Sequence, residues 1–491
     1  MSKFLGKLCS VFSLGILVSM LLVACGDNTA TPSTSAPATT AAASATTAAA
    51  SATTAAASAT TAAAASATTA ATSTTAAAAS ATTAAVSATT AATATAGTVA
   101  QGTIPANLKA GPGVDTAAKT IKVAMMVPLT GAQAPQGVKL QVGQEAYFKW
   151  LNDNGGINGY KVVLVPQDTK YNAQTGVQVY NKVSGDVAMI STIMGTNVLT
   201  AIKDQTISDK MLVMYSGSSS SLIPLANVVT TAPPYLIDAV NAFDYVVNGL
   251  GKKNPKTAIV YQDDPLGADA LHGYKEAVKA FGLQDVAQIP YKATDTDATG
   301  QATALKNSGA EFVYLAGVVA PIGKIVNTSE SLGFKAKYIL QNTGWDVTLL
   351  NTAARDALTG AIVLGQYASW TETNQEGIAT MVSALKKYAP SEVESNYTTA
   401  GWIQAMVTHI ILKKALENGD ITRDGLLATS QALKNVNLGG IAPTLSRGNT
   451  TNERISIRVS RIMEVDPSTP SGLKVVKPEF GGDFAKNFVF K

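Results

Sequence analysis

Residues 121–160 constrain the fold more than any other stretch of the chain. They read IKVAMMVPLTGAQAPQGVKLQVGQEAYFKWLNDNGGINGY. Residues 121–127 are apolar apart from Lys122 and too few for an ordinary helix, the pattern of a strand buried on both faces. Pro128 ends it, and Thr130 with Gly131 opens a loop. Over 138–151 the apolar period lengthens, with Val138, Val142, Ala146 and Lys149 or Trp150 on one helical face. Asn154, Gly155 and Gly156 stop the helix, because glycine accepts a left-handed backbone at little steric cost. The next strand begins at Tyr160. Strand, loop, helix, glycine stop and strand make a βαβ unit. In open α/β sheets ligands bind beyond the carboxyl ends of the strands, which points to the loop after Pro128.

The same alternation continues. Strands are expected at 160–166, 187–194 and 211–215, with helices at 174–184 and 198–208 between and after them. The third strand ends at Gly195, Thr196 and Asn197, and the fourth at Ser216, Gly217 and the run Ser218 to Ser221. A helix over 233–249 carries the chain elsewhere. A second set then begins, with strands at 257–261, 286–289, 311–316, 338–340 and 361–365 and helices at 268–281, 299–307 and 321–332. A helix over 396–418 is apolar nearly all round, so it is expected to be buried. The tail, 455–465 and 473 onward, alternates like an antiparallel hairpin. Two βα sets with no change of composition between them predict two similar α/β lobes, and roughly 370 folded residues are enough for two.

The amino terminus is of another kind. Lys3 and Lys7 precede an apolar run over 8–23, which Ser10, Ser13 and Ser19 interrupt, so a secretory signal is expected rather than a membrane span. Leu22, Val23, Ala24 and Cys25 resemble a bacterial lipobox. That resemblance implies cleavage after residue 24, diacylglycerol on the Cys25 thiol, and a membrane anchor on the outer face of the cytoplasmic membrane. Residues 25–118 follow, almost wholly Ala, Ser and Thr over most of their length, with S-A-T-T-A-A recurring often at a period of seven. No Leu or Ile fills a heptad seam, and the Thr pairs oppose the helix that alanine favours. This reads as a disordered tether that is a candidate for glycosylation, about 50–60 Å across as a coil.

The chemistry to be excluded is broad. The net charge of +4 and the lack of any basic stripe argue against nucleic acid. The two cysteines are Cys9 and Cys25, so the globular part holds no thiol. His272, expected at the surface, and His409, expected in or near the core, are the only imidazoles, too few for a histidine metal cluster. No G-x-S-x-G elbow and no Walker loop occurs, and Asp263 with Asp264 reads as a helix cap rather than a catalytic pair. No enzyme, cofactor or metal is expected.

Residues 128–131 (PLTG), residues 152–159 (NDNGGING) before a strand, and the order of strand ends together resemble the leucine/isoleucine/valine-binding proteins, the substrate-binding subunits of ABC importers. The likeness covers about 121 to the end. It implies a type I periplasmic binding protein: two doubly wound Rossmann-like lobes joined by three crossings, near Pro234, Leu364 and Gly440, closing on a solute. The first lobe is 119–234 with 365–440, the second 235–364 with 441–491. The family's carboxylate site maps to Gly195, Thr196, Asn197, Gly217, Ser218 and Ser219, where hydroxyls and helix-start N–H groups donate to an anion. In the second lobe the acidic ammonium anchor is replaced by Asn342, and Val318 and Leu266 stand where aromatics are common. Asp264 or Asp346 is the alternative acid, Trp345 an apolar contact or plain core, and Gln136 takes the place of an aromatic lid. The resemblance implies a monomer that captures a small polar solute, an amino acid or a related amide or carboxylate, and passes it to an ABC permease. A sensor of the same fold and a tethered surface protein without transport are the alternatives.

Overall fold

The computed structural model describes residues 101–490. The signal segment, Cys25 and the Ala/Ser/Thr tract up to residue 100 lie outside them.

The first sheet holds β1 (Thr120–Val127), β2 (Lys161–Asp168), β3 (Met189–Ile193), β4 (Val213–Tyr215) and β5 (Val228–Val229), parallel and in the order β2-β1-β3-β4-β5. Ile121 and residues 123–127 are fully buried, as strands covered on both faces must be. Helices α1 (Ala134–Asp153), α2 (Ala173–Val183) and α3 (Thr196–Ser208) connect these strands. The second sheet repeats the plan with β6 (Lys256–Gln262), β7 (Gln284–Tyr291), β8 (Phe312–Ala316), β9 (Lys337–Leu340) and β10 (Ile362–Gly365) in the parallel order β7-β6-β8-β9-β10. Its connections include α4 (Tyr235–Asp244) ahead of it, then α5 (Pro265–Phe281), α6 (Thr299–Ser308) and α7 (Val319–Ser331). The expected hairpin, β11 (Ser460–Val465) and β12 (Leu473–Phe480), adds to the β10 edge antiparallel. Two Rossmann-like lobes of one topology result.

The chain leaves the first sheet after β5, packs back on the first lobe as helices after β10, and joins the second sheet again at β11. On the return it forms α8 (Glu376–Tyr388), α9 (Asn396–Glu417) and α10 (Arg423–Gln431). Of these, α8 and α10 were not anticipated, although α8 carries Ile378, Met381, Ala384 and Leu385 at helical spacing on its buried side. At the crossings the Ala368 N–H donates to the Ile441 carbonyl at 2.8 Å, and Tyr367 meets Thr231 through hydroxyls 3.1 Å apart. The strands are thus tied to one another where the lobes meet.

Two sequence expectations need correction. Val138 is 44% exposed, while the buried side of α1 is Leu140, Gly143, Gln144, Tyr147 and Leu151. The reason is that α1 packs closely on α9. A Cβ on Gly143 would sit 2.1 Å from the Thr398 carbonyl oxygen, and one on Gly401 2.1 Å from that of Leu140. Glycines and an amide therefore belong to this face, which a count of large apolar residues overlooks. Second, residues 101–118 are not tether. Lys109 and Ala110 pair parallel with Asp420 and Ile421, and Val114 and Asp115 pair with Ile121 and Thr120. Ile104 and Leu108 pack on the core, and it is these larger side chains that break with the Ala/Ser/Thr pattern before them.

Candidate ligand-binding cleft

The carboxyl ends of both sheets face one another. In the first lobe they lead into 128–133, 168–172, 194–197 and 216–219; in the second they lead into 262–264, 291–294, 317–318 and 341–345. The sheets bring Gly195, Thr196, Asn197, Gly217, Ser218 and Ser219 together at adjacent strand ends. Gly195 caps α3 with φ of 114°, a backbone that only glycine adopts freely. Thr196 starts the helix and its hydroxyl lies 2.6 Å from that of Tyr215.

That contact changes the expected chemistry. The Tyr215 hydroxyl also accepts from the Ser219 N–H, and the Tyr235 hydroxyl, from the first turn of α4, accepts from the Ser218 N–H and is within reach of Thr196. The ring of Tyr215 lies so close that a Cβ on Gly217 would be 2.5 Å from it, which explains the glycine. Three donors that the family resemblance gives to a ligand carboxylate, the Thr196 hydroxyl and the Ser218 and Ser219 N–H groups, are held here by two tyrosine oxygens, while the Ser218 hydroxyl is left unbonded. Burial pushes both phenols above their ordinary range, so they remain neutral. The Ser219 hydroxyl itself meets that of Ser221 at 2.9 Å.

Several polar atoms around this floor have no partner. Buried and unbonded are both amide atoms of Gln133, Oε1 of Gln136, Oδ1 of Asn197 and Oγ of Ser218 from the first lobe. From the second lobe they are Oε1 of Gln262 and both amide atoms of Gln341, while the Tyr291 hydroxyl takes the Val318 N–H. Gln262, Tyr291 and Gln341 stand at the carboxyl ends of β6, β7 and β9. Gln136 lies one turn before Lys139, whose ammonium reaches Asp346 at 3.1 Å, so this face of α1 looks at the second lobe. Leaving one buried polar group unpaired costs about 1–3 kcal/mol, and Gln133 and Asn197 of the first lobe line one groove with Gln262 of the second, so these atoms call for a partner there.

Two spaces open there. An outer groove of about 530 Å³ is lined by Gln133, Tyr171, Asn197, Gln262 and Asp264 among others, within the range of small-molecule sites. An inner cavity of about 40 Å³ at the floor is lined by Tyr215, Ser218, Asn342, Thr343, Tyr367 and Tyr397 among others. Tyrosines from the first sheet, the crossings and α9 thus supply the aromatic surface that Val318 and Leu266 do not; both of those are buried core.

The other expected residues have other tasks. Asp264 caps α5 through the Leu266 and Gly267 N–H groups and accepts from Gln262 Nε2 at 2.5 Å. Burial raises its carboxyl above the usual range. Asp346 is bound to Lys139 and to the Ser395 hydroxyl at 3.2 Å, which removes it as an ammonium anchor. Trp345 is 2% exposed and packs in the core beside Gly472, so of its two expected readings the structure supports core. The chain turns at Asn342–Gly344 and runs extended through Trp345. Asn342 lines the floor, but its Nδ2 donates to Asp238 at 2.8 Å. His272 is exposed, and His409 bonds the Tyr147 hydroxyl at 2.8 Å between α1 and α9, where burial lowers it to about 4. Among the described residues no group of three or more His, Cys, Asp or Glu side chains is placed to hold a metal, and no helix is long and apolar enough to cross a membrane.

Gln133, Tyr171, Tyr235, Gln262, Tyr291 and Gln341 were missed in the sequence. Gln262 and Gln341 left a readable sign, since each is the first amide after an apolar strand. Tyr235 left none, because its reach into the cleft depends on how α4 crosses.

Comparison with known proteins agrees with this geometry. Residues 120–470 match the model of the periplasmic binding protein family. The Leu/Ile/Val-binding protein homolog 3 of Brucella melitensis is 27% identical over 220 residues, covering 44% of this chain and 59% of that protein. Leu/Ile/Val-binding protein BraC3 of Rhizobium johnstonii is 24% identical over 318 residues, 64% of this chain and 83% of its own. The chain therefore spans only about three-fifths of the length of some curated relatives that it matches. A fatty acid ABC transporter substrate-binding protein from Thermomonospora curvata superposes with a TM-score of 0.71 at 27% identity, over 78% of this chain and 97% of that one. A branched chain amino acid ABC transporter from Thermus thermophilus with bound valine gives 0.65 at 18% identity, over 75% and 98%. The family is one of extracytoplasmic solute-binding proteins and not of enzymes. With two duplicated lobes, a polar cleft between them and a family match across most of its length, the chain belongs to the periplasmic binding protein family, in its type I form.

Proposed function

We propose that this protein captures a small polar solute between its lobes and delivers it to an ABC permease, held to the membrane by lipid on Cys25 and acting as a monomer. The lobes are 101–234 with 365–440 and 235–364 with 441–491, hinged at the three crossings. The observation that carries this reading is the set of unpartnered polar atoms on Gln133, Gln136, Asn197, Ser218, Gln262 and Gln341, drawn from both lobes. These are amides and a hydroxyl, so they hold a ligand by hydrogen bonds, in a groove that Lys170, Lys292, Asp263 and Asp264 also line. With Tyr215 and Tyr235 on the donors of Thr196, Ser218 and Ser219, the solute engages the side-chain amides first. Amino acids, their amides and small carboxylic acids fit that lining. The Thermomonospora relative bears on a second reading, an aliphatic acid whose chain lies against the tyrosines.

A thermal-shift screen of the mature chain tests this with amino acids, primary amides, urea, short organic acids and medium-chain fatty acids. A ligand of the closed form raises the melting temperature with its concentration. A shift with polar amides or amino acids supports the first reading, and one confined to fatty acids the second. No shift with any member of the panel refutes solute capture.

A further inference from the structure

Asp238 sits on α4 behind the cleft floor, fully buried, and touches no solvent. Its Oδ2 accepts from Asn342 Nδ2 at 2.8 Å and its Oδ1 from the Ser460 hydroxyl at 2.6 Å. Ser460 in turn accepts from Asn241 Nδ2 at 3.0 Å. The donors therefore run one way, from Asn241 through Ser460 to the carboxylate on one side and from Asn342 on the other. Such a carboxylate only accepts. An amide has two ends, and fixing one fixes the other. With its NH₂ turned to Asp238, Asn342 offers its Oδ1 to the inner cavity that it lines, and that oxygen has no partner among the described residues.

We propose that Asp238 is a positioning residue for ligand choice: when ionised it locks Asn342 as a hydrogen-bond acceptor at the cleft floor, so the solute bound there in that state bears an N–H or O–H donor, as in a primary amide, an amine or an ammonium, and not a bare carboxylate. This rests on the solute-capture reading above and narrows its ligand class. The buried carboxylate acts through the asparagine instead of meeting the ligand, so no charge has to be desolvated when the solute enters.

The arrangement responds to pH. Burial pushes the Asp238 carboxyl up to about 8, and the two hydrogen bonds oppose that rise without cancelling it. The titratable group that feels its charge is Tyr314 from β8, on which Tyr235 of α4 and Asp269 of α5 also act; among the described residues no cation offsets the carboxyl. When Asp238 takes a proton on Oδ2 it becomes a donor, and Asn342 must turn its oxygen inward and its NH₂ to the cleft. A donor-bearing ligand then binds more weakly and an acceptor more strongly.

The test uses the full mature chain with two isosteric probes, 3-methylbutanamide, which does not titrate between pH 6 and 9, and 3-methylbutanoate, followed by calorimetric titration or thermal shift across that range. The amide is expected to bind about tenfold tighter than the acid at pH 9, the worth of one hydrogen bond to a paired group, and to lose that lead as pH falls through about 8. Asp238→Asn should flatten the pH profile, and Asn342→Ala should abolish the preference with Asp238 still in place. An equal preference for both probes at all pH values, or an unchanged profile in Asp238→Asn with its fold intact, overturns the proposal and leaves solute capture standing. If neither probe binds but another solute of the wider panel does, the same profile is read with that solute and its acid or amide counterpart. Silence across the whole panel overturns both.

Discussion

The Lys139–Asp346 pair joins the first lobe to the second, and removing it should weaken ligand binding without unfolding either lobe. The ammonium lies 3.1 Å from the carboxylate, with the two side chains 16% and 2% exposed. At an effective dielectric of about 20 the attraction at this separation is about 5 kcal/mol. Desolvating both ions takes back most of it and leaves about 1–2 kcal/mol in favour of closure. Asp346 keeps other donors when the lysine goes, since it accepts from Thr348 through the N–H at 3.1 Å and the hydroxyl at 2.7 Å, and from Ser395. Lys139→Met retains the aliphatic stem and removes the charge. Because the pair is made only when the lobes meet, its loss is felt as a shift toward the open form. The dissociation constant of a ligand from the screen should rise about five- to thirtyfold by calorimetric titration, and the wild-type affinity alone should fall with salt. An affinity within twofold of wild type at low salt would refute the reasoning, because the pair would then have no part in closure.

Three further outcomes follow from particular contacts. Gln341→Leu removes two buried amide atoms that have no partner, so the ligand-free chain should gain about 1 kcal/mol in chemical denaturation while ligand affinity falls at least about tenfold. Asp269 is 8% exposed and takes the Ser220 N–H at 3.0 Å; burial raises its carboxyl to about 6, above the ordinary value near 4. Between those values the folded chain holds more protons than the unfolded one, so stability falls as pH rises from about 4 to 6, by up to roughly 3 kcal/mol, and Asp269→Asn should flatten that slope in melts across the range. Gly401→Val places a branched side chain where a Cβ alone would be 2.1 Å from the Leu140 carbonyl oxygen, so α1 and α9 must part and the melting temperature should drop by several degrees, a cost of about 1–3 kcal/mol.

Residues 121–127 could be read because a strand covered on both faces has to be apolar, and the glycine stops could be read because few residues take a left-handed backbone. The strand ends at Thr196 and Ser218 follow from the same logic, since a parallel sheet puts them at one edge. What sequence could not give is which groups at that edge were already engaged. Tyr215 and Tyr235 lie on separate elements, and their meeting over Thr196 depends on the angle at which α4 crosses. Trp345 shows the same limit: its place in the chain suits a ligand contact, yet one turn of backbone sends it into the core. Residues 101–118 were assigned to the tether because their neighbours are Ala, Ser and Thr, and only Ile104 and Leu108 signalled that the fold begins earlier.

The central claim is that unpartnered amides from both lobes grip one solute. A crystal structure of the mature chain with the strongest hit of the thermal-shift screen tests it most directly. The account requires ligand polar atoms within hydrogen-bonding distance of Gln262 or Gln341 and, on the other side, of Gln133, Gln136 or Asn197. A ligand held by one lobe alone, or bound outside the cleft with these amides still unpaired, would contradict it.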